Sequence, residues 1–240
     1  MGLYHSPSVV TNGLVLCLDA GNIKSYPGSG TAWNDLSGRT HDSTLTNGPT
    51  FSSQNLGAIG FDGTNDYGTV GNSLNGDFNF GTVSGNSNDF AMEVVVNHGS
   101  TASTQNYLRP HAGALNSAAL FRTQNMQVQW AYWNASGVAQ MSLTGTTTLN
   151  TNQWYHIMAT RVAGVHTIYV NGVPDGATTN ASAAAVNPVT AMAIARYPFG
   201  TPGSEFFNGR IALIRVYKNI TFNQAQVLQN FNSIRGRYGI

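Results

Sequence analysis

The 240-residue chain carries 11 Lys and Arg against 10 Asp and Glu, for a formal net charge of +1 and only 9% charged residues. That is far below the roughly 25% of an average soluble domain, so its polarity comes from Asn, Thr, Ser and Gln. No basic cluster exceeds the tail pair Arg235 and Arg237, which removes the electrostatic term of nucleic-acid binding. No apolar run approaches the about 20 residues of a membrane-spanning helix.

The first seven residues, Met1-Gly2-Leu3-Tyr4-His5-Ser6-Pro7, have neither a basic n-region nor a long apolar h-region, so no secretion signal is expected and folding in a cytoplasm is. Residues 1–10 read as an N-terminal extension expected to dock on a neighbouring subunit or a host particle, and 11–240 as one domain. The 27 Gly, 10% aromatics and abundant Thr favour β structure. Cys17, the only cysteine, lies in the run 14–18 and reads as a small core residue, so the fold does not depend on a disulfide. Further apolar runs at 58–61, 90–96, 118–121, 128–133, 155–161, 166–170, 191–195 and 210–217 are separated by Gly/Asn/Ser/Thr clusters. This spacing predicts an all-β sandwich.

Strands near 154–160 and 167–172 read as a hairpin, with Asn171-Gly172 suited to a left-handed turn. Residues 177–186 read as a surface loop. In the last strand Ile211, Leu213 and Arg215 face one way and Ala212, Ile214 and Val216 the other, so both faces look buried. Thr221-Phe222-Asn223-Gln224 then matches a capping box with Thr221 as the cap. Val227, Leu228, Phe231 and Ile234 follow at helical spacing, an apolar stripe expected to pack across a sandwich edge or open end.

Glycoside hydrolysis normally needs two carboxylates about 5–10 Å apart. The only two Glu, Glu93 and Glu205, stand far apart in sequence, and no catalytic residue is assigned. The six His lack the spacing of zinc sites. Trp130 and Tyr132 share one face of a strand, as either a sugar-stacking platform or core packing would require. Tyr197 and Phe199 lie in a Gly/Pro-rich loop where a core role is harder to assign. With Asn106, Tyr107 and Arg109 they complete the candidate ligand or partner surface.

Several segments carry a family resemblance. They are Gly13-Leu14-Val15-Leu16-Cys17-Leu18-Asp19, Thr31-Ala32-Trp33-Asn34-Asp35-Leu36-Ser37-Gly38, Phe61-Asp62-Gly63-Thr64-Asn65-Asp66-Tyr67, Gln153-Trp154-Tyr155-His156 and Asn208-Gly209-Arg210-Ile211. Their order resembles the laminin-G-like, concanavalin A-like domains found in virion proteins of tailed phages, especially phages of marine cyanobacteria. The resemblance implies a jelly-roll β-sandwich of two antiparallel sheets with a short C-terminal helix, and a structural role for Glu93. It also implies Ca²⁺ as the one metal to consider. Relatives use an acidic residue in the Phe-Asp-Gly segment and another after the closing-strand glycine. Here Asp62, Asn65 and Asp66 match the first, while Ala212 and Leu213 stand where relatives often carry acids. Those oxygens could serve a weak Ca²⁺ site or bond the turn backbone. No other cofactor is expected. The Glu-x-Asp-x-x-Glu motif of retaining glucanases with this fold is absent. The function implied is a non-enzymatic virion structural protein, either a capsid accessory (decoration) protein or a tail-fibre component. It would sit in the virion as a homo-oligomer among other virion proteins, with glycans as candidate ligands. The alternatives are a free-standing carbohydrate-binding lectin and a glycan hydrolase.

Overall fold

The computed structural model describes residues 8–71, 76–78, 89–111, 119–133, 139–179, 191–198 and 205–240, and for 132, 133, 139 and 140 the backbone alone. Sixteen strands and one α-helix are found among them. The first sheet contains β1 (Leu14–Asp19), β4 (Thr50–Ser52), β5 (Ala58–Asp62), β7 (Phe90–His98), β12 (Trp154–Val162), β13 (Val165–Val170), β14 (Val173–Thr179) and β16 (Asn208–Lys218). The second contains β2 (Ala32–Trp33), β3 (Ser43–Thr46), β6 (Tyr67–Val70), β8 (Thr104–His111), β9 (Ala119–Gln124), β10 (Gln127–Trp133), β11 (Ala139–Thr148) and β15 (Ala191–Ile194). Every strand pairing is antiparallel, and α1 (Gln224–Tyr238) follows β16. The expected sandwich of two antiparallel sheets with a C-terminal helix is therefore present.

The inner faces of the two sheets enclose one core, with Met92, Val94 and Val96 of β7 and Ile157 of β12 meeting Tyr107, Phe121 and Trp130 of the second sheet. The outer face of the first sheet is also apolar, which explains why β7 reads as nearly continuous hydrophobic sequence. Helix α1 covers it: Phe231, Ile234 and Tyr238 pack on Val95, Trp154, Ala212 and Leu213. Val227 joins Ala91, Met158 and Tyr217 in a neighbouring cluster. The helix thus lies on a sheet face, not at the edge or open end expected from the sequence. A helix of this length is marginal alone and takes its order from this packing.

The closing strand departs from simple alternation. The β7–β16 register slips between Ile211 and Leu213, a bulge that turns two successive residues, Ala212 and Leu213, toward the helix. Ile211 therefore joins Ile214 and Val216 in the sandwich core, reversing the faces expected for Ile211 and Ala212. Asn223, not Thr221, caps the helix. Its Oδ1 accepts from Gln226 N at 2.9 Å, and Gln226 Oε1 accepts from Asn223 N at 3.0 Å. The Thr221 hydroxyl instead donates to Asp89 at 3.0 Å. Leu228 is 42% exposed, so the stripe runs through Val227, Asn230, Phe231, Ile234 and Tyr238.

The β12–β13 hairpin forms as expected through Ala163 and Gly164, both at positive φ. Asn171 and Gly172, also at positive φ, turn the chain into β14. Residues 177–179 continue that edge strand instead of opening a loop, and 180–186 lie outside the described residues. Val10 is buried in the outer cluster beneath α1 and donates its N–H to Asn230 Oδ1 at 2.9 Å. Ser8 O accepts from Gln229. Residues 8–10 thus dock on this chain's own helix, contrary to the expectation of an intermolecular contact, and residues 1–7 lie outside the described residues.

Candidate functional site

On β8 the register against β9 slips between Asn106 and Leu108. The bulge sends both Tyr107 and Leu108 into the core and leaves Asn106 and Arg109 on the outer face of the second sheet, three residues apart in sequence. Asn106 lies opposite Arg122 of β9, which lies opposite Gln129 of β10. These three form a polar row across the outer face. Arg122 Nε donates to Gln129 Oε1 at 2.7 Å and its Nη2 to Gln124 Oε1 at 3.3 Å. Two of the guanidinium's edges are thereby fixed by amides.

Glu205 closes the row from above. Its Oε2 accepts from Asn106 Nδ2 and from Arg122 Nη1, each at 2.9 Å. Its carbonyl accepts from Asn106 N at 3.2 Å and Nδ2 at 3.1 Å. One step along the sheet, the Arg109 guanidinium carbon lies 4.8 Å from the Tyr197 ring centroid, and that of Arg196 lies 3.5 Å from the Tyr67 ring centroid. Burial pulls Arg109 down to about 10, opposed by Tyr197 and Glu205. Burial, then Arg196 and Arg109, lower the imidazole of His111 on the same strand. The outer side of this sheet thus concentrates three guanidiniums, one carboxylate, two tyrosines and a set of amides. Asn106 is fully buried and Arg109 5% exposed, so that the Glu205 and Arg122 side chains, 30% and 15% exposed, are its solvent-facing part.

The structure brings Asn106, Arg109 and Tyr197 together and places Tyr107 and Trp130 elsewhere. Tyr107 and Trp130 are fully buried in the sandwich. There Tyr107 OH lies 2.8 Å from His98 Nε2 and Trp130 Nε1 donates to His166 Nδ1 at 3.2 Å, so the core role holds for Trp130. Tyr132 lies on β10, in register with Ala119 and Met141. Its side chain, like all of Phe199, lies outside the described residues. Sequence reasoning missed Arg122, Gln129 and Glu205. The readable signal was the alternation of apolar 119 and 121 with polar 122 and 124, which puts the polar pair on the solvent side.

Of the two roles open to Asp62, Asn65 and Asp66, the geometry shows bonding of the turn backbone. Asp62 Oδ1 accepts from the amides of Thr64, Asn65 and Asp66 at 2.7, 3.2 and 3.4 Å. Asp66 Oδ2 accepts from Asp62 N at 3.1 Å. These bonds, that of Thr64 foremost, lower the Asp62 carboxyl, while burial raises that of Asp66. The residue opposite Asp62 on the closing strand is Asn208, whose Nδ2 donates to Asp62 O at 2.7 Å. Ala212 and Leu213 lie farther down β16, under the helix. The donor set does not fit a divalent cation. Among the described residues no group of three or more His, Cys, Asp or Glu is placed to hold one.

All ten carboxylates are spent internally. Glu93, deep under α1, accepts from Arg215 Nη1 at 2.9 Å and Asn230 Nδ2 at 2.9 Å, and lies 3.0 Å from His156 Nε2. Asp175 accepts from the Thr146 and Thr147 hydroxyls at 2.9 and 2.6 Å, tying the edge strands β14 and β11 of the two sheets. Asp19 pairs with Arg237, Asp77 with His41, and Asp89 with Arg161. Asp35 and Asp42 bond the backbone of the β1–β3 connection, and Asp62 and Asp66 that of their own turn. Away from this, a hollow of about 240 Å³ lies at the other edge of the first sheet, lined by Ile23, Tyr26, Phe51 and Leu56 among others.

Comparison with known proteins agrees with this architecture. The binding domain of Paraclostridial Mosquitocidal Protein 1 superposes with a TM-score of 0.69 at 14% identity, over 93% of this chain and 52% of that one. A botulinum neurotoxin type C structure, described as depending for cell entry on two ganglioside molecules, gives 0.68 at 11% identity over 94% and 52%. Trypanosoma rangeli sialidase gives 0.61 at 17% identity over 92% and 33%. The chain spans about half the length of the toxin domains and a third of the sialidase. No curated protein matches it significantly in sequence. A family model described as the concanavalin A-like lectin/glucanases superfamily matches residues 62–228, more than half of the chain, and the protein belongs to that family.

Proposed function

We propose that this domain is a non-catalytic glycan-binding module whose ligand lies on the outer face of the second sheet. The observation that carries the reading is the Asn106–Arg122–Gln129 row with Arg109 and Tyr197 beside it. Planar amides and guanidiniums offer paired donors to vicinal hydroxyls, and a tyrosine face offers apolar contact to a pyranose ring. One toxin relative is a binding domain by name and another is tied to gangliosides, which supports a glycan ligand. The engagement of every carboxylate in a bond or ion pair supports a non-catalytic role, because a glycosidase needs two carboxylates facing its substrate.

The test is a glycan array probed with the folded domain and with Arg109→Ala and Asn106→Ala. Selective binding that both variants lose supports the reading. No binding across the array, or sugar release from a bound glycan, overturns it.

The setting proposed for the module is a tailed-phage virion, on the capsid surface or in a tail fibre, as a homo-oligomer. The motif order of the N-terminal third and the sparsely charged, Asn- and Thr-rich composition support that reading. Mass spectrometry of purified particles from the source of the chain tests it: the protein should be present in many copies per particle, and its absence contradicts the proposal.

A further inference from the structure

The outer face is unbalanced in charge. Arg109, Arg122 and Arg196 share it with one carboxylate, Glu205. The cradle around that carboxylate is firmer than its occupant. Arg122 is anchored by Gln129 and Gln124 and its side chain is 15% exposed, whereas the Glu205 side chain is 30% exposed. Asn106, fully buried, is held by its place in the β8–β9 pair and by the main-chain carbonyl of Glu205, not by the Glu205 side chain alone. Glu205 also sits at φ 56°, a left-handed conformation costly for a residue with a Cβ. The chain accepts this strain at the one residue that places a carboxylate against an arginine and an amide on this face.

We propose that Glu205 is the resident occupant of an anion subsite, and that the carboxylate of an acidic sugar, a sialic or uronic acid, replaces it between Asn106 Nδ2 and Arg122 Nη1. This rests on the reading of the face as glycan-binding and specifies the class of glycan. The exchange forms and breaks hydrogen bonds only. The ligand carboxylate accepts from the same two donors that Glu205 now uses, at the geometry Glu205 already demonstrates. Arg109, which feels the charges of both Glu205 and Arg122 and carries Tyr197 against its guanidinium, then faces the incoming charge. Glu205 would act as an internal competitor. It lowers apparent affinity by the fraction of time the subsite is closed, and excludes ligands too weakly charged to displace it.

The experiment is titration calorimetry with sialyllactose and with lactose, using the wild-type domain, Glu205→Gln, Glu205→Ala and Arg122→Gln, each checked for folding by its thermal melt. Wild type should bind sialyllactose about tenfold or more tighter than lactose, and Glu205→Ala should tighten sialyllactose by about three- to tenfold while leaving lactose unchanged. Arg122→Gln should erase the preference; if that variant fails to fold, Arg122→Lys, which cannot reproduce the fork, carries the same test. Equal affinity of wild type for the two sugars overturns the proposal while leaving glycan binding standing. So does a Glu205→Ala effect that is the same for both sugars or that weakens sialyllactose. Absence of binding to either sugar by every variant, together with a blank glycan array, overturns the underlying reading as well.

Discussion

Arg215 donates to Glu93 at 2.9 Å across the β7–β16 pair, with the arginine side chain 7% exposed and the carboxylate fully buried. The pair lies on the outer side of the first sheet, beneath α1, and Asn230 of that helix donates to the second carboxylate oxygen. Asn230 also accepts from Val10 N. A single buried carboxylate thus joins two neighbouring strands, the terminal helix and, through Asn230, the N-terminal segment. Burial alone would raise Glu93, but Arg215, then His156 and Asn230, hold it down at about 2.

Breaking this pair from one side should be costly. Arg215→Leu or Glu93→Leu strands a buried charge and should lose about 3–5 kcal/mol in denaturant unfolding. The double variant should recover part of the loss, because two apolar residues leave no orphan. A double variant no more stable than either single one would show that the network's bonds to His156 and Asn230 matter more than the pair.

Stability should fall with acid in two overlapping windows. His98 and His166 are buried and held at about 4, chiefly by burial, against an ordinary value near 6.5. Their unfolded forms bind protons first, so stability is full above about pH 6.5 and declines toward pH 4. Glu93 is depressed from 4.5 to about 2, so its contribution is full above about pH 4.5 and is lost on falling toward pH 2. Each group accounts for a few kcal/mol. Denaturant midpoints should be level from pH 7.5 to about 6.5 and fall from there to pH 3, and His98→Gln should flatten the upper part of the fall. A flat profile down to pH 4 would contradict the assignment.

The helix variants should follow a definite order. Phe231→Ala removes a ring that is 7% exposed, packed near His156 and Gly172, and should cost about 3–5 kcal/mol. Asn223→Ala should cost about 1 kcal/mol through the lost cap. Leu228→Ala, half exposed, should cost less than Phe231→Ala by a wide margin. Thermal melts rank the three, and a Leu228 effect equal to that of Phe231 would contradict the helix orientation.

Chelation should leave the fold untouched. Asp62 and Asp66 satisfy turn amides and Asn208 offers a donor to the Asp62 carbonyl, so EDTA should not shift the melting temperature measurably. A drop that added Ca²⁺ restores would show that carbonyls and water complete a site.

The sandwich was legible because its central strands are long, apolar and β-branched, as in 90–96 and 155–161. What was hidden has physical causes. Strands β3, β6, β8 and β11 are rich in Thr, Asn and Gln and look like loops. The bulges at Tyr107 and Ala212 were invisible because β16 is apolar on both faces and β8 mixes polar and apolar residues, so no pattern fixes which residue turns over. Trp130 went to the core because an aromatic residue serves a core and a sugar platform equally well. Asn106, Arg109 and Tyr197 were named from the sequence. Their union with Arg122 and Glu205 depends on pairings 16 to 99 residues apart, which local sequence does not encode. Thr221 lost the cap to Asn223 because two overlapping boxes, Thr221 with Gln224 and Asn223 with Gln226, both read as valid starts.

The central claim, that the outer face of the second sheet is the ligand surface, is tested most directly by mapping amide chemical shifts of the isotope-labelled domain during titration with the best ligand from the glycan array. The account predicts that the largest perturbations fall on Asn106, Arg109, Arg122, Gln129 and Tyr197. Perturbations confined to the hollow at Ile23, Tyr26, Phe51 and Leu56, with the second sheet silent, would contradict it.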